Sequence, residues 1–367
     1  MVEDVVEEVA AGRFMQRALQ HARRGLGRTS PNPVVGACVV TAEGVVVADG
    51  THERAGEPHA EVHALERAGE RARGATLYCT LEPCAHQGRT GPCTDRIIAA
   101  GIRTVVAAME DPNPLVRGRG FATLRAHGIE VVVGIGRQQA TRLNLPFITA
   151  VQERRPFVTL KAAASLDGYI AAAPGQRTAI TSAAALRHAH YVRAQVDAIA
   201  IGSGTLLVDD PLLTARLVYR ERPLTRVVFD SRLRTPPTAR LFSTLVHGPV
   251  VIVGSRPADP ARVDALTRAG AEVVLTEGVD RFGEALPALV ARDIQSLLLE
   301  GGTGLHRAAW EAGVVDQVQL YVAPLPIGGG GVPLLDAASF SVGDLDELTV
   351  TPLGPDVLFE GYVHRTH

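Results

Sequence analysis

The sequence predicts an α/β protein built from two domains, and three observations carry that prediction. The chain has 367 residues, more than one ordinary domain holds. Strand-like runs alternate with helical stripes through both halves. Between the two series, residues 151–156 (VQERRP) are charged, end in proline and precede a fresh strand pattern. The expected layout is a domain over residues 1–150, a linker over 151–156 and a second domain over 157–367.

In the first domain, residues 12–24 set Phe14, Met15, Ala18, Leu19 and Ala22 on one helical stripe, and a turn rich in Gly, Ser and Pro follows. Residues 34–40 and 45–48 read as two paired strands separated by Ala42-Glu43-Gly44. Helices over about 59–71, after Cys93 and near 121–126 then alternate with strands at 76–80, 104–108 and 129–133. Such alternation implies a largely parallel sheet covered by helices. The pattern restarts after the linker with a strand at 157–162, a helix at 182–195 and strands at 198–201, 225–229 and 250–253. A helix at 260–269 and strands at 272–275 and 296–300 follow. Apolar runs at 318–323 and 357–363 predict terminal strands that close this second sheet in antiparallel fashion.

Composition narrows the function. With 46% hydrophobic residues the chain fills two cores. The net charge is -2 and acids and bases are mixed, so no uniform positive field exists to hold a nucleic-acid backbone or an anionic membrane. The expected partner is a small molecule, and assembly into a homo-oligomer is left open. No apolar run is long enough to span a bilayer, and the acidic start lacks a secretory pattern, so a cytoplasmic location is expected. Only four cysteines occur, between Cys38 and Cys93, too few and too confined for a disulfide framework. Metal binding is the better reading.

The chemistry-bearing residues support it. Pro58-His59-Ala60-Glu61 is followed by Glu82-Pro83-Cys84 and by Cys93. An imidazole and two thiolates suit zinc (Zn2+), and three protein ligands leave the fourth tetrahedral position to water, the mark of a catalytic site. Attack of water on an amidine carbon of a ring requires a group that moves protons to the departing amine, and Glu61 is the candidate. Residues two apart lie about 200° apart around a helix, so His59 and Glu61 converge only at an opening turn. Pro58 agrees with a helix start there. With His86 as a fourth ligand, the same set would be a structural zinc site instead. Cys38 and Cys79 fall inside strand patterns and read as core.

In the second half, Gly202-Ser203-Gly204-Thr205 and Glu300-Gly301-Gly302-Thr303-Gly304 follow apparent strands, where backbone amides can cradle phosphates. Leu207 stands where the third glycine of a dinucleotide-binding fingerprint would be. Taken alone, these are ordinary turns.

The His-x-Glu and Pro-Cys elements resemble the cytidine deaminase superfamily, whose usual second element is Pro-Cys-x-x-Cys. Here eight residues separate Cys84 from Cys93, and that longer loop resembles the deaminase half of the RibD family of bifunctional riboflavin biosynthesis proteins. Pro31-Asn32-Pro33-Val34-Val35-Gly36, the stretch from His52 to Glu61 and Asp111-Pro112-Asn113-Pro114 extend the likeness, while Gly91 replaces a usual proline. The resemblance implies a cytidine deaminase-like α/β/α sandwich in which Asn32, His86 and Arg89 line the pocket. It also implies a substrate, a diaminopyrimidinone carrying a phosphoribosylamino group.

Most of residues 157–367 is similar to the reductase half of the same family, through Lys161-Ala-Ala-Ala-Ser165-Leu-Asp-Gly168, Arg193-Ala-Gln, the stretch from Gly202 to Arg216, Asp230-Ser231, the Glu300 turn and Gly354-Pro-Asp356. This implies a dihydrofolate reductase-like domain that uses NADPH to reduce the ribosyl chain to ribityl. By the same resemblance Ala163, Thr205, Asp209, Ser231, Gly302, Thr303 and Gly304 hold NADPH. Arg193, Leu213, Arg216 and Glu300 hold the substrate, the arginines gripping its phosphate through bidentate contacts, and Lys161 orients the ribosyl oxygens. One block departs: Arg177-Thr178-Ala179 stands where the family shows Ser-x-Trp, so a cation replaces a hydroxyl and a ring is missing.

Three other readings compete. A nucleic-acid base deaminase would need a basic surface and aromatic platforms, and aromatic residues are only 4% of this chain. A non-enzymatic zinc module would not need Glu61. A paralogue serving a related pyrimidine would keep the zinc set and differ around Arg177.

Overall fold

Apolar residues spaced three and four apart become the buried stripe of α1 (Val2–Arg23), where Met15, Ala18, Leu19 and Ala22 are fully buried. The structure is a computed structural model that describes residues 2–86, 91–114, 116–278, 281–335 and 341–363. It divides into two compact units, Met1–Arg154 and Arg155–His367.

In the first unit α1 packs on β1 (Gly36–Val40), which forms an antiparallel hairpin with β2 (Val46–Thr51). Helix α2 (Ala60–Ala68) crosses over to β3 (Thr76–Cys79), α3 (Cys93–Ala99) to β4 (Thr104–Ala107) and α4 (Arg119–Ala126) to β5 (Glu130–Val133). Among the described residues the sheet order is β2-β1-β3-β4-β5, antiparallel through β3 and parallel beyond it. Helices α5 (Arg137–Leu143) and α6 (Leu145–Glu153) complete the unit.

Two glycines set the layer spacing. A Cβ on Gly36 would lie 2.0 Å from the Ala18 carbonyl oxygen in α1, and one on Gly50 would lie 1.9 Å from the Ala60 carbonyl oxygen in α2. Gly50 pairs with Ala37, the neighbour of Gly36, so the two glycines face opposite sides of the hairpin. Helices α1 and α2 therefore cover opposite faces, which makes an α/β/α sandwich. Gly36→Ala is expected to cost about 1–3 kcal/mol through the forced shift of α1. Thermal unfolding of the N-terminal unit checks this, and an unchanged midpoint would refute the close-packing account.

The second unit begins with β6 (Phe157–Ser165), β7 (Tyr169–Ala171), α7 (Ala183–Gln195), β8 (Ala198–Gly202), α8 (Ser203–Asp209) and β9 (Thr225–Phe229). It continues with β10 (Val250–Ser255), α9 (Pro260–Arg268), β11 (Ala271–Thr276), α10 (Arg281–Val290), β12 (Ser296–Leu299) and α11 (Thr303–Glu311). The last elements are β13 (Gln317–Ala323), β14 (Val332–Pro333), β15 (Leu345–Leu353) and β16 (Asp356–Val363). The main sheet, order β11-β10-β9-β8-β12-β6-β13-β16-β15 among the described residues, is parallel up to β13 and antiparallel at β16 and β15. Strands β7 and β14 pair separately. Ala198, Ala200, Val227 and Phe229 enter one core while Ile199, Ile201 and Val228 enter another, so both faces of the parallel strands are covered. This is the two-domain α/β architecture expected, with the expected antiparallel closure.

Several helices lie where no helix was read. Helix α6 has Pro146 in its first turn and α10 carries Pro287 internally, and each proline breaks the helical signal of its segment. Helix α6 also runs to Glu153, so the first three residues of the expected linker form its last turn. Helices α8 and α11 begin inside the two glycine-rich segments, with Gly202 and Gly302 as their N-caps.

Candidate active sites

Helix α2 opens where the pattern required. His59 is its N-cap in an extended conformation, and Glu61 stands one residue inside the helix, buried. Cys93 opens α3, and the loop after β3 delivers Cys84, whose carbonyl accepts from the Thr94 N–H at 3.2 Å. His59 Nδ1 lies 3.2 Å from Cys93 Sγ and 3.6 Å from Cys84 Sγ, and the Cys93 N–H donates to Cys84 Sγ at 3.3 Å. All three ligand atoms fall within 4.8 Å of one another. Tetrahedral ligands about 2.0–2.3 Å from a zinc ion lie roughly 3.3–3.8 Å apart, so this donor set fits zinc.

The electrostatics agree with a ligand set. The Cys84 thiol is pulled down to about 4, first by its hydrogen bond with Cys93, which is itself pushed up by the shared proton and by burial. His59 rises to about 9, chiefly through its hydrogen bond with Cys84. Burial pushes the Glu61 carboxyl up, and its Oε2 has no hydrogen-bond partner among the described residues. A buried carboxyl oxygen with no partner beside this three-donor cluster is a group able to serve a reacting molecule. His86 is exposed and stands outside the three-residue cluster, and among the described residues no fourth ligand joins it.

A cavity of about 440 Å³ opens over this cluster, lined among others by Asn32, His59, Glu61, Cys84 and His86. Arg89 lies outside the described residues. Asn32 Nδ2 donates to His52 Nε2 at 3.1 Å, and His52 Nδ1 donates to the Pro58 carbonyl at 3.2 Å. This network assigns the proton to Nδ1, consistent with burial holding His52 below its ordinary pKa and so neutral. The relay ties the pocket wall to the residue before His59. His52, Asp111 and Phe147 also line the cavity without having been singled out from sequence. His52 and Asp111 at least sat inside the matching blocks, whereas Phe147 comes from α6 and gave no signal. Asn144, at the α5–α6 junction, accepts from the Val34 N–H at 2.8 Å and donates to the Val34 carbonyl at 3.1 Å, which anchors that junction near Asn32.

In the second unit the two glycine turns stand at the carboxyl ends of the adjacent parallel strands β8 and β12. Thr205 Oγ1 accepts from the Gly302 N–H at 2.8 Å, and a Cβ on Gly301 would come 2.8 Å from the Gly202 nitrogen. A cavity of about 640 Å³ brings together Lys161, Ala163, Thr205, Asp209, Glu300 and the turn of Gly302, Thr303 and Gly304. A second, of about 520 Å³, brings together Arg193, Leu213, Arg216 and again Thr205, Asp209 and Glu300. Arg177 lines both. Ser231 lines neither, although it follows β9 next to β8.

The two expected phosphate-gripping arginines differ. Arg193 Nε and Nη2 donate to Glu300 at 2.7 and 2.5 Å, and Nη1 donates to the Thr214 carbonyl at 3.2 Å, so this guanidinium is already committed inside the protein. Arg216 is exposed toward the cavity. Burial alone would raise the Glu300 carboxyl, yet the charges of Arg193 and Lys161 hold it down to about 2. Burial lowers the Lys161 ammonium below its ordinary range, with Glu300 opposing.

Comparisons with known proteins match both units. Residues 9–109 match the cytidine and deoxycytidylate deaminase zinc-binding region, and residues 156–359 match the RibD C-terminal domain. The riboflavin biosynthesis protein RibD of Bacillus amyloliquefaciens is 42% identical over 94% of each chain, and that of Escherichia coli strain K12 is 40% identical over 94% of this chain and 97% of its own. Among solved structures, Acinetobacter baumannii RibD superposes with a TM-score of 0.87 at 35% identity, covering 98% of this chain and all of its own. A diaminohydroxyphosphoribosylaminopyrimidine deaminase/5-amino-6-(5-phosphoribosylamino)uracil reductase from Thermotoga maritima gives 0.82 at 36% identity over the same shares. The chain thus belongs to the RibD family of riboflavin biosynthesis proteins.

Proposed function

We propose that the chain catalyses two successive steps of riboflavin biosynthesis on one phosphorylated pyrimidine, deaminating the ring in its first unit and reducing the ribosyl chain in its second. The substrate is 2,5-diamino-6-(5-phosphoribosylamino)pyrimidin-4-one, and the deaminated product is 5-amino-6-(5-phosphoribosylamino)uracil. The observation that carries the reading is the meeting of His59, Cys84 and Cys93 beside a buried Glu61 whose Oε2 is unengaged.

His59, Cys84 and Cys93 would hold a zinc ion, which would supply the Lewis acidity that makes water nucleophilic near neutral pH. Glu61 takes the proton that the attacking water gives up and returns it to the departing amine, which leaves as ammonia. Asn32, braced by His52, and His86 hold the ring, with Arg89 assigned to the same task by resemblance alone. In the second unit NADPH supplies the hydride. Ala163, Thr205, Asp209 and the Gly302-Thr303-Gly304 turn hold the cofactor, and Ser231 is kept in that set on its family position rather than on a cavity contact. Leu213, Arg216 and Glu300 bind the substrate, Arg216 reaching its phosphate. Arg193 holds Glu300 in place, and Lys161 orients the ribosyl oxygens. Four free cysteines support work in a reducing cytoplasm. Among the described residues no helix is long and apolar enough to cross a membrane.

The test is direct: the purified chain, given the diaminopyrimidinone phosphate and NADPH, releases ammonia and oxidises NADPH. Asp209→Ala is expected to raise the KM for NADPH about tenfold and leave ammonia release unchanged. An equal loss of both activities would refute the division of labour between units.

A further inference from the structure

The Glu82-Pro83-Cys84 segment that carries a zinc ligand also carries a buried carboxylate that the chemistry above does not use. Glu82 is 5% exposed. Its Oε2 accepts from the backbone N–H groups of Asp111 at 3.1 Å and Gly118 at 2.9 Å. Its Oε1 accepts from those of Gly120 at 2.8 Å and Phe121 at 3.4 Å. One side chain thus satisfies four amides on the approach to α4 and in its first turn.

The backbone closes the same contact from the other side. A Cβ on Gly120 would lie 2.0 Å from the Pro83 carbonyl oxygen and 3.2 Å from the Glu82 side chain, so only glycine permits this approach. Gly118, with φ +75°, is the N-cap of α4 in a conformation that favours glycine. Asp111, Asn113 and Val116, which lie along the clasped segment, line the cavity over the zinc ligands. Asp111 Oδ1 further accepts from the Asn113 N–H at 2.8 Å, which carries the restraint one step into the wall.

We infer that Glu82 is a positioning residue of the deaminase: it fixes one wall of the pyrimidine pocket at a set height above Cys84, acting through Asp111 and Asn113. The inference rests on the deaminase reading of the first unit. Its consequence is specific, because Glu82, although it lines the same cavity, has both carboxylate oxygens taken up by the four backbone amides of the wall. Loosening the wall weakens the hold on the ring before and during reaction alike, and uniform binding of that kind appears in KM rather than in kcat. A residue that merely supported the metal loop would instead lose zinc.

Glu82→Gln keeps the shape of the side chain and spoils the clasp. Whichever way the new amide turns, one pair of N–H groups meets a donor where it had an acceptor. In the full zinc-loaded chain the expected result is a KM for the diaminopyrimidinone phosphate raised about tenfold, with kcat kept within about twofold. Zinc stoichiometry and NADPH oxidation on the deaminated substrate stay at the level of the unaltered chain. Gly120→Ala pushes the same wall away from Pro83 and reproduces the split. An unchanged KM in both variants overturns the inference, and so does a fall in kcat at constant KM. Loss of zinc, or joint loss of both activities, makes Glu82 a fold anchor and overturns it too. Failure of the unaltered chain to release ammonia would sink the deaminase reading itself, an outcome distinct from these.

Discussion

Replacing Glu61 with Gln is expected to cut the rate of ammonia release by roughly 10³–10⁴-fold while zinc stays bound at its usual stoichiometry. The carboxyl lies inside the first turn of α2, fully enclosed, and is no member of the His59, Cys84 and Cys93 cluster. Removing its acidity therefore leaves the ligand set intact. The attacking water then has no nearby group to receive its proton, and the amine has none to supply one. Metal analysis together with a coupled ammonia assay reads both quantities on one sample. Turnover within tenfold of the parent would show that another group moves the proton, and zinc loss would show that Glu61 supports the ion instead.

Arg193→Met is expected to destabilise the C-terminal unit by about 3–5 kcal/mol and to remove reductase activity. The side chains of Arg193 and Glu300 are 15% and 8% exposed, so screening by water is slight and breaking the pair strands a buried carboxylate. The pH dependence has a definite sign. The Glu300 carboxyl is held at about 2, below the ordinary value of about 4.3 in an unfolded chain. Its contribution is therefore present above about pH 4.3 and is lost as pH falls toward 2. In the variant burial acts with Lys161 and His190 left to oppose it, Glu300 protonates more readily, and the penalty shrinks as the solution is acidified. Denaturant unfolding at pH 7 and pH 4 should show a wide gap between parent and variant at the first and a narrower one at the second. A gap that widens on acidification would contradict the pairing.

The parts legible in the sequence were those fixed by local pattern or by residue type. Alternating apolar runs gave the layered order of both units, and the two-residue spacing of His59 and Glu61 demanded a helix start that α2 supplies at Ala60. Cys84 and Cys93 stood out because thiols are scarce in this chain. What stayed hidden depends on contacts between distant segments. Nothing near Arg193 says that Glu300, 107 residues on, will pair with its guanidinium at the cavity wall. Phe147 reaches the first cavity from a helix whose opening proline masked its period. Glu82 read as one letter of a metal motif, because backbone donors have no signature in sequence.

Gly50 bears on how this metal site tolerates change. With 1.9 Å separating an added Cβ from the Ala60 carbonyl, the strand and the first turn of α2 meet without clearance, and that turn is the one that begins at His59 and carries Glu61. The height of His59 above the sheet is in effect dictated by an absent methyl group. Drift in the surrounding hydrophobic filling can be absorbed by side chains that yield, but here backbone rests on backbone, and a single added carbon would be felt first as a misplaced imidazole.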